Sequence, residues 1–496
     1  MTTPTLDTVT TSRGHRIPVG LYINGGWESV GLTFPVYNPA DGQVIAEVAD
    51  GSVDQAKAAL DAAVVAQRTW GDMKPRERGD LFHRAHRLLW ERRDAIVETM
   101  TLESGKPLAE AAGEFQLSAD FFLWYAEQIA HVHGTFAHAS RGPFRIVTTH
   151  QPVGPCLLIT PWNFPLLMIA RKAGAALAAG CTVVVKSAKE TPLTCAIFVE
   201  TLHDAGFPAG VVNLVHTTSS SKVSAALMED TRLRKVSFTG STGVGSTLLG
   251  QAARNITNAS MELGGDGPLL VLGDADLDLA AREAVLCKFR NAGQACVAAN
   301  RIIVQRSIAD EFTAKFVELT KQLRVGDGFA EGTDVGPIIS AQQRDHVRDL
   351  VEAFKRLDTE LLTGGEPIPG DGYFFQPTVF RVNKADDDLC HQELFAPIAT
   401  IYTVDTVEEA IETANDTRYG LAAYVFTQSL DRAIAVGERL DFGMVGINRG
   451  VMADPAASFG GIKASGLGRE GGHDAIYDFL EPKYLAITVN EEEALR

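Results

Sequence analysis

The stretch FRNAGQACVAANR, residues 289–301, places one thiol, Cys296, among small residues, after a Gly-Gln pair and between two arginines. A structural cysteine normally sits in an apolar run, where burial raises its pKa and leaves it inert. Small neighbours instead let a ligand approach the backbone, so Cys296 reads as a nucleophile or, equally, as a cysteine in a tight turn. A nucleophile that forms a tetrahedral adduct needs a donor for the oxyanion. In TPWNFP the neutral amide of Asn163, held between prolines, has that chemistry, though an asparagine in such a loop is more often a turn residue. A general base is available in MELGG, where Glu262 ends an apolar strand. Burial there would raise its pKa toward a working range, while the plainer role is capping a helix.

Other residues suit a phosphorylated cofactor. VVVKSAKETP sets Lys186 and Lys189 at the carboxyl end of a strand, and SFTGSTGVGSTLLG runs from a strand through small residues into a helix. Helix N-termini in that setting cradle phosphate, although GSTGVG departs from the G-x-G-x-x-G pattern. Glu393, in CHQELFAP, has the chemistry to hold a pair of ribose hydroxyls. No metal site is expected, because the six cysteines include no C-x-x-C pair. Cys156, Cys181, Cys195 and Cys287 lie in apolar runs and read as core; Cys390, beside a histidine, is ambiguous.

These residues need a large scaffold. With 496 residues, 45% of them hydrophobic, the chain exceeds what one core supports, so two or more packed units are expected. A formal charge of -17 argues against nucleic acid and anionic membranes as partners. The most apolar segment, residues 153–170, is interrupted by prolines and an asparagine, so no membrane span is expected. The N-terminus has no apolar signal core, and the unpaired cysteines fit a reducing, cytoplasmic setting.

Apolar residues at three-to-four spacing predict amphipathic helices from residue 53 to about 130. From 153 onward short β-rich runs alternate with helix-length segments: PCLLIT, TVVVKS, VVNLV, KVSFTG and MELGG, then PLLVL, RIIVQ, PTVF, PIATIYTV and GLAAYVFT. This predicts an α/β fold of two doubly wound, Rossmann-like domains whose ligands bind at the carboxyl ends of the strands. Residues 1–130 and 153–262 are assigned to a cofactor-binding domain and 263–465 to a catalytic domain. Residues 131–152 and 466–496 fit neither sheet. Their strands pair across a subunit interface or form an edge hairpin and a loose end, and the residues do not choose between these.

Taken in order, PWNFP, VVVKSA, SFTGST, MELGG, FRNAGQAC, ELFAP and FGGIKASGLGREG make the chain resemble the NAD(P)-dependent aldehyde dehydrogenase superfamily over roughly residues 20–490. The resemblance implies a cofactor domain, a catalytic domain and a bridging β element that builds a homodimer or homotetramer. It implies Cys296 as nucleophile, Asn163 as oxyanion donor and Glu262 as base. For NADP or NAD it implies Thr160, Pro161, Trp162, Lys186, Ser187, Lys189, Gly240, Ser241, Leu263, Gly264, Glu393 and Phe395. A cation at 189, where an acid often selects NAD, favours NADP.

PLLMIARKAGAALAAGCTVVVK, KFRNAGQAC and KASGLGREG resemble the succinate-semialdehyde dehydrogenases in particular. That likeness implies Arg171, Arg290 and Ser465 as contacts for a substrate carboxylate. Glutarate semialdehyde is the alternative of the same chemistry. A cysteine hydrolase or acyltransferase that uses no dinucleotide, and an inactive structural relative, are the others. Departures from common family patterns are Ser187, HTTSSS at 216–221 and Asp266 after the base.

Overall fold

The computed structural model describes residues 8–11, 14–383 and 388–490. Five strands, Cys156–Ile159, Val183–Lys186, Val212–Val215, Lys235–Thr239 and Asn258–Glu262, run parallel within an eight-stranded sheet. Four are buried throughout, as the continuous apolar runs require of strands covered on both faces, and Asn258–Glu262 is buried from Ser260 onward. The strand Cys156–Ile159 lies at the centre, with Val183–Lys186 on one side and Lys235–Thr239 on the other. Chain order therefore reverses there, and the crevice beyond the carboxyl ends of these two strands is where ligands of such sheets bind.

The second sheet has seven strands, and six of them, from Thr378–Val382 through Ile398–Val404, Ala299–Gln305, Gly267–Val271 and Ala422–Phe426 to Met444–Ile447, run parallel. Thr359–Thr363 adds an antiparallel edge. Two α/β sheets of the expected kind are thus present. The helices predicted before residue 130 appear as Val53–Asp72, Pro75–Glu91, Arg93–Ser104 and Leu108–Gln128. The run RERGDLFHRAHRLLWERRDAIVETMTLESG, read as a single helical stretch, is broken at Arg92, where the backbone leaves the helical region.

A three-stranded antiparallel sheet stands apart from both. Its strands are Thr135–His138, Phe144–Pro152 and Leu480–Thr488. Residues 466–479 precede the last of these strands. Gly466–Leu467 first adds an antiparallel edge to the cofactor sheet beside Met261 and Glu262, and Ala475, Ile476 and Phe479 pack into that domain's core. Only from Leu480 does the chain join the outlying strands. Sequence pattern misses the two-residue strand because it carries no period of its own.

Candidate active site

Cys296 sits where two cavities meet. On one side a cavity of about 270 Å³ is lined by Pro161, Trp162, Thr239, Gly240, Ser241, Leu263, Gly264, Glu393 and Phe395, with Asn163 and Glu262. On the other, a tunnel of about 390 Å³ reaches past Phe164, Leu167, Met168, Phe459, Arg171 and Arg290. Residues far apart in sequence converge because Asn163, Gly240 and Leu263 follow the carboxyl ends of parallel strands of one sheet, whereas Cys296 and Glu393 precede the strands Ala299–Gln305 and Ile398–Val404 of the other.

Asn163 is buried and its amide orientation is fixed by its neighbours. The Phe164 N–H donates to Oδ1 at 3.1 Å, so Nδ2 faces the other way and gives one hydrogen to the Gln294 carbonyl at 3.1 Å. A second amide hydrogen remains for an oxyanion. Burial, followed by the Glu393 and Glu262 carboxylates, pushes the Cys296 thiol up to about 12, so the unliganded site holds it protonated. Glu262 is buried, its Oε2 has no partner, and burial with the nearby Glu470 carboxylate holds its pKa well above the usual range. A carboxyl held above its ordinary range is a stronger base once ionised, which suits it to take a proton from water.

The first cavity fits a dinucleotide. The helix Thr242–Asn255 begins at Ser241 with no side-chain cap, leaving its first N–H groups open to phosphate. Thr239 Oγ1 is buried without a partner. A Cβ at Gly264 would meet Glu393 Oε2 at 2.4 Å, so glycine is what allows that carboxylate to sit over the strand end. Glu393 also accepts the Gly265 N–H at 3.2 Å, and burial raises its pKa to about 7. Lys186 is buried with Nζ 3.1 Å from Ser220 Oγ, its pKa lowered by burial to about 8. Neither Lys186 nor Lys189 lines this cavity; Lys189 is 57% exposed, 3.9 Å from Glu190, and lines a separate one with Thr218 and Tyr373.

Several expected contacts lie elsewhere. Thr160 is buried with its N–H on the Lys186 carbonyl, and Ser187 is buried with Oγ 2.6 Å from His216 Nδ1. Neither lines the cavity. Ser465, expected at the substrate carboxylate, is fully buried; its hydroxyl donates to the Gly264 carbonyl at 2.7 Å and accepts the Gly420 N–H at 2.9 Å. It braces the segment after Glu262 and lines neither cavity. Arg171 does line the tunnel, but Nε and a terminal nitrogen donate to Glu470 Oε2, while Lys172 holds Glu470 Oε1 at 2.6 Å. Arg290 Nε is buried with no partner, and its guanidinium lies 5.5 Å from the Phe164 ring centre.

Residues 27–485 match the aldehyde dehydrogenase family. The chain belongs to that family. As an aldehyde dehydrogenase it is 46% identical over 444 residues to a succinate-semialdehyde dehydrogenase of Paenarthrobacter nicotinovorans, covering 90% of this chain and 99% of the relative. It is 42% identical over 470 residues to a glutarate-semialdehyde dehydrogenase of Pseudomonas putida, covering 94% of this chain and 97% of that one. A crystal structure described as an E. coli NADP dependent enzyme superposes with a TM-score of 0.94 at 40% identity, covering 95% of this chain and 98% of that chain. Aldehyde dehydrogenases oxidise aldehydes through a cysteine, and two doubly wound domains are the fold of this one.

Sequence reasoning passed over Glu470, Lys172, Lys106, Glu110 and Glu114, as well as the cavity residues Gln343 and His346. Some left a trace. Arg171 and Lys172 are adjacent cations within a helix, Pro165–Ala179, that is buried along its whole length, and such charges demand an anion. Gln343 and His346 left none.

Proposed function

We propose that this aldehyde dehydrogenase oxidises a short semialdehyde bearing a distal carboxylate, succinate semialdehyde first, to the dicarboxylic acid. Arg290 carries the reading: a tunnel cation next to Cys296 with a buried, unpartnered Nε, while Arg171 is already neutralised by Glu470. A substrate carboxylate would complete the Arg290 hydrogen bonds, each charge-assisted bond contributing about 1.5–3 kcal/mol. Ser465 is too enclosed to contribute, and Arg171 supports the site through the field around it.

After the thiol gives up its proton to solvent, the Cys296 thiolate attacks the aldehyde carbon, and the oxygen takes up charge between the free Asn163 Nδ2 hydrogen and the Cys296 N–H. An oxidised nicotinamide bound in the first cavity would supply the hydride acceptor. Loss of hydride leaves a Cys296 thioester. Glu262 then takes a proton from water as that water attacks the thioester carbon, and the free acid departs with the thiol restored. Glu393 and Lys186 would bind ribose hydroxyls, and Gly240 and Ser241 would admit the pyrophosphate.

We infer NADP as the preferred cofactor and NAD as the lesser one. Lys189 is 57% exposed, only loosely paired with Glu190 at 3.9 Å, and lines a separate cavity where a 2′-phosphate would find a cation, and the E. coli structure of similar fold is described as NADP dependent. The six free cysteines support a cytoplasmic, reducing setting. No helix among the described residues is long and apolar enough to cross a membrane. A homodimer or homotetramer is supported by the outlying sheet, which exposes Phe136, Tyr484, Leu485 and Ile487.

Comparing kcat/KM for succinate semialdehyde with that for butanal tests the carboxylate reading; equal values would overturn it. Glutarate semialdehyde is the second reading, favoured by the 42% identical P. putida relative, and its kcat/KM in the same assay ranks the two chain lengths.

A further inference from the structure

The oxyanion hole described above is split between two sheets. Asn163 follows a strand of the cofactor sheet, whereas Cys296 leads into a strand of the catalytic sheet. Strand register within either sheet cannot set the distance from the Asn163 amide to the Cys296 N–H. Hydrogen bonds between the loops must do so, and a misplacement of about 1 Å at such a site costs about 100-fold in rate.

One helix, Leu108–Gln128, with the lysine just before it, reaches both loops. Lys106 and Glu114 form an ion pair whose side chains are each 1% exposed. Lys106 Nζ also donates to the Asn163 carbonyl at 2.8 Å. The other Glu114 oxygen accepts the N–H groups of Leu166 and Leu167 at 2.9 and 3.2 Å, capping the helix that starts after Asn163. One turn earlier on the same helix, the Glu110 carboxylate accepts the Asn291 N–H with its two oxygens at 3.1 and 3.0 Å.

Asn291 is an unusual place to be held. Asn291 and Ala292 are consecutive residues with left-handed φ values of 52° and 55°, a conformation that costs free energy in non-glycine residues and persists only where neighbours enforce it. Asn291 Nδ2 in turn donates to the Asn163 carbonyl at 3.0 Å and to the Gln294 carbonyl at 3.1 Å, the same carbonyl that receives Asn163 Nδ2. Lys106, Glu110 and Glu114 therefore hold the strained approach to Cys296 and the Asn163 loop from a single rigid element.

We propose that Lys106, Glu110 and Glu114 are positioning residues that register the two halves of the oxyanion hole, and that Glu110 does so by fixing the left-handed turn at Asn291. None of the three is needed to bind cofactor under this assignment. Breaking the clamp slows formation of the tetrahedral adduct, and because Glu110 and Glu114 also line the tunnel, the signature of positioning is coupling to Asn163 at saturating aldehyde. The proposal rests on the assignment of Asn163 and Cys296 as the oxyanion donors.

The test is a double-mutant cycle between Glu110→Gln and Asn163→Ala, read in single-turnover formation of reduced nicotinamide with butanal, which avoids the Arg290 interaction. Glu110 is only half-buried, and a thermal melt together with cofactor titration verifies that each variant is folded. Glu110→Gln alone is expected to slow the single turnover at saturating butanal about tenfold, and to add less than about twofold once Asn163 is alanine. A Glu110→Gln effect of the same factor in both backgrounds, or no effect in the parent, overturns the proposal. Asn163→Ala with undiminished turnover would instead remove the oxyanion assignment beneath it, so the two failures are told apart.

Discussion

At the scale of single residues, Cys296 and Glu262 divide the reaction between them, and their variants should fail differently. Cys296→Ala should abolish oxidation, whereas Glu262→Gln should release about one equivalent of reduced nicotinamide per site and then stall. Rapid mixing separates the two, and a Glu262→Gln enzyme turning over at the parental rate would remove it as deacylation base. The base must be ionised to accept a proton. Because burial and Glu470 hold its pKa well above the ordinary range, the rise of steady-state turnover with pH should lie above the window in which an exposed carboxylate ionises. Lys189 concerns cofactor choice. Lys189→Glu should shift the ratio of kcat/KM values from NADP toward NAD by placing a carboxylate where the 2′-phosphate would lie, and an unchanged ratio would leave this lysine a solvent-facing side chain.

At the scale of elements, the helix Pro165–Ala179 is pinned to the segment after Gly466 through Glu470, which both Arg171 and Lys172 hold. Those two cations keep the Glu470 carboxyl at about 2, below the ordinary range of about 4.3. A depressed folded-state pKa adds stability that is present above the ordinary carboxyl range and drains away as pH falls toward 2. Glu470→Gln should therefore destabilise the protein at pH 7 by about 3–5 kcal/mol, because two buried cations lose their anion, and should flatten the acid limb of its stability curve. Urea titration at several pH values measures both. The same substitution removes a neighbouring negative charge from Glu262, so the rise of turnover with pH should begin at lower pH.

At the scale of the whole molecule, the antiparallel strands Phe144–Pro152 and Leu480–Thr488 pair along nine residues, and the outer face of their sheet leaves large apolar side chains in solvent. Leu485 is 41% exposed and Ile487 46%. A surface of that kind is covered in a stable assembly. Leu485→Lys with Ile487→Lys should lower the sedimentation coefficient toward that of a 53.3 kDa chain while leaving the monomer's secondary structure intact. A parent protein that already sediments as a monomer would exclude the interface.

Periodicity and motif order made much of this molecule legible before any coordinates. Buried parallel strands announce themselves as apolar runs, and small residues around Cys296 and Gly240 mark where backbone approaches ligand, because both are local properties of chain chemistry. The alternation of strands and helices likewise implied a doubly wound architecture. What the chain order left open was every long-range partner of a charge. Arg171, Arg290 and Ser465 looked equivalent as substrate contacts, yet Glu470, some 299 residues away, claims Arg171, and two backbone groups enclose Ser465. Lys106, Glu110 and Glu114 read as ordinary charges near a helix start, and their work appears only when two loops from different sheets are brought against that helix. Local pattern specifies which groups are available; the ion pairs and hydrogen bonds that consume or spare them depend on distances between elements, which only tertiary packing sets.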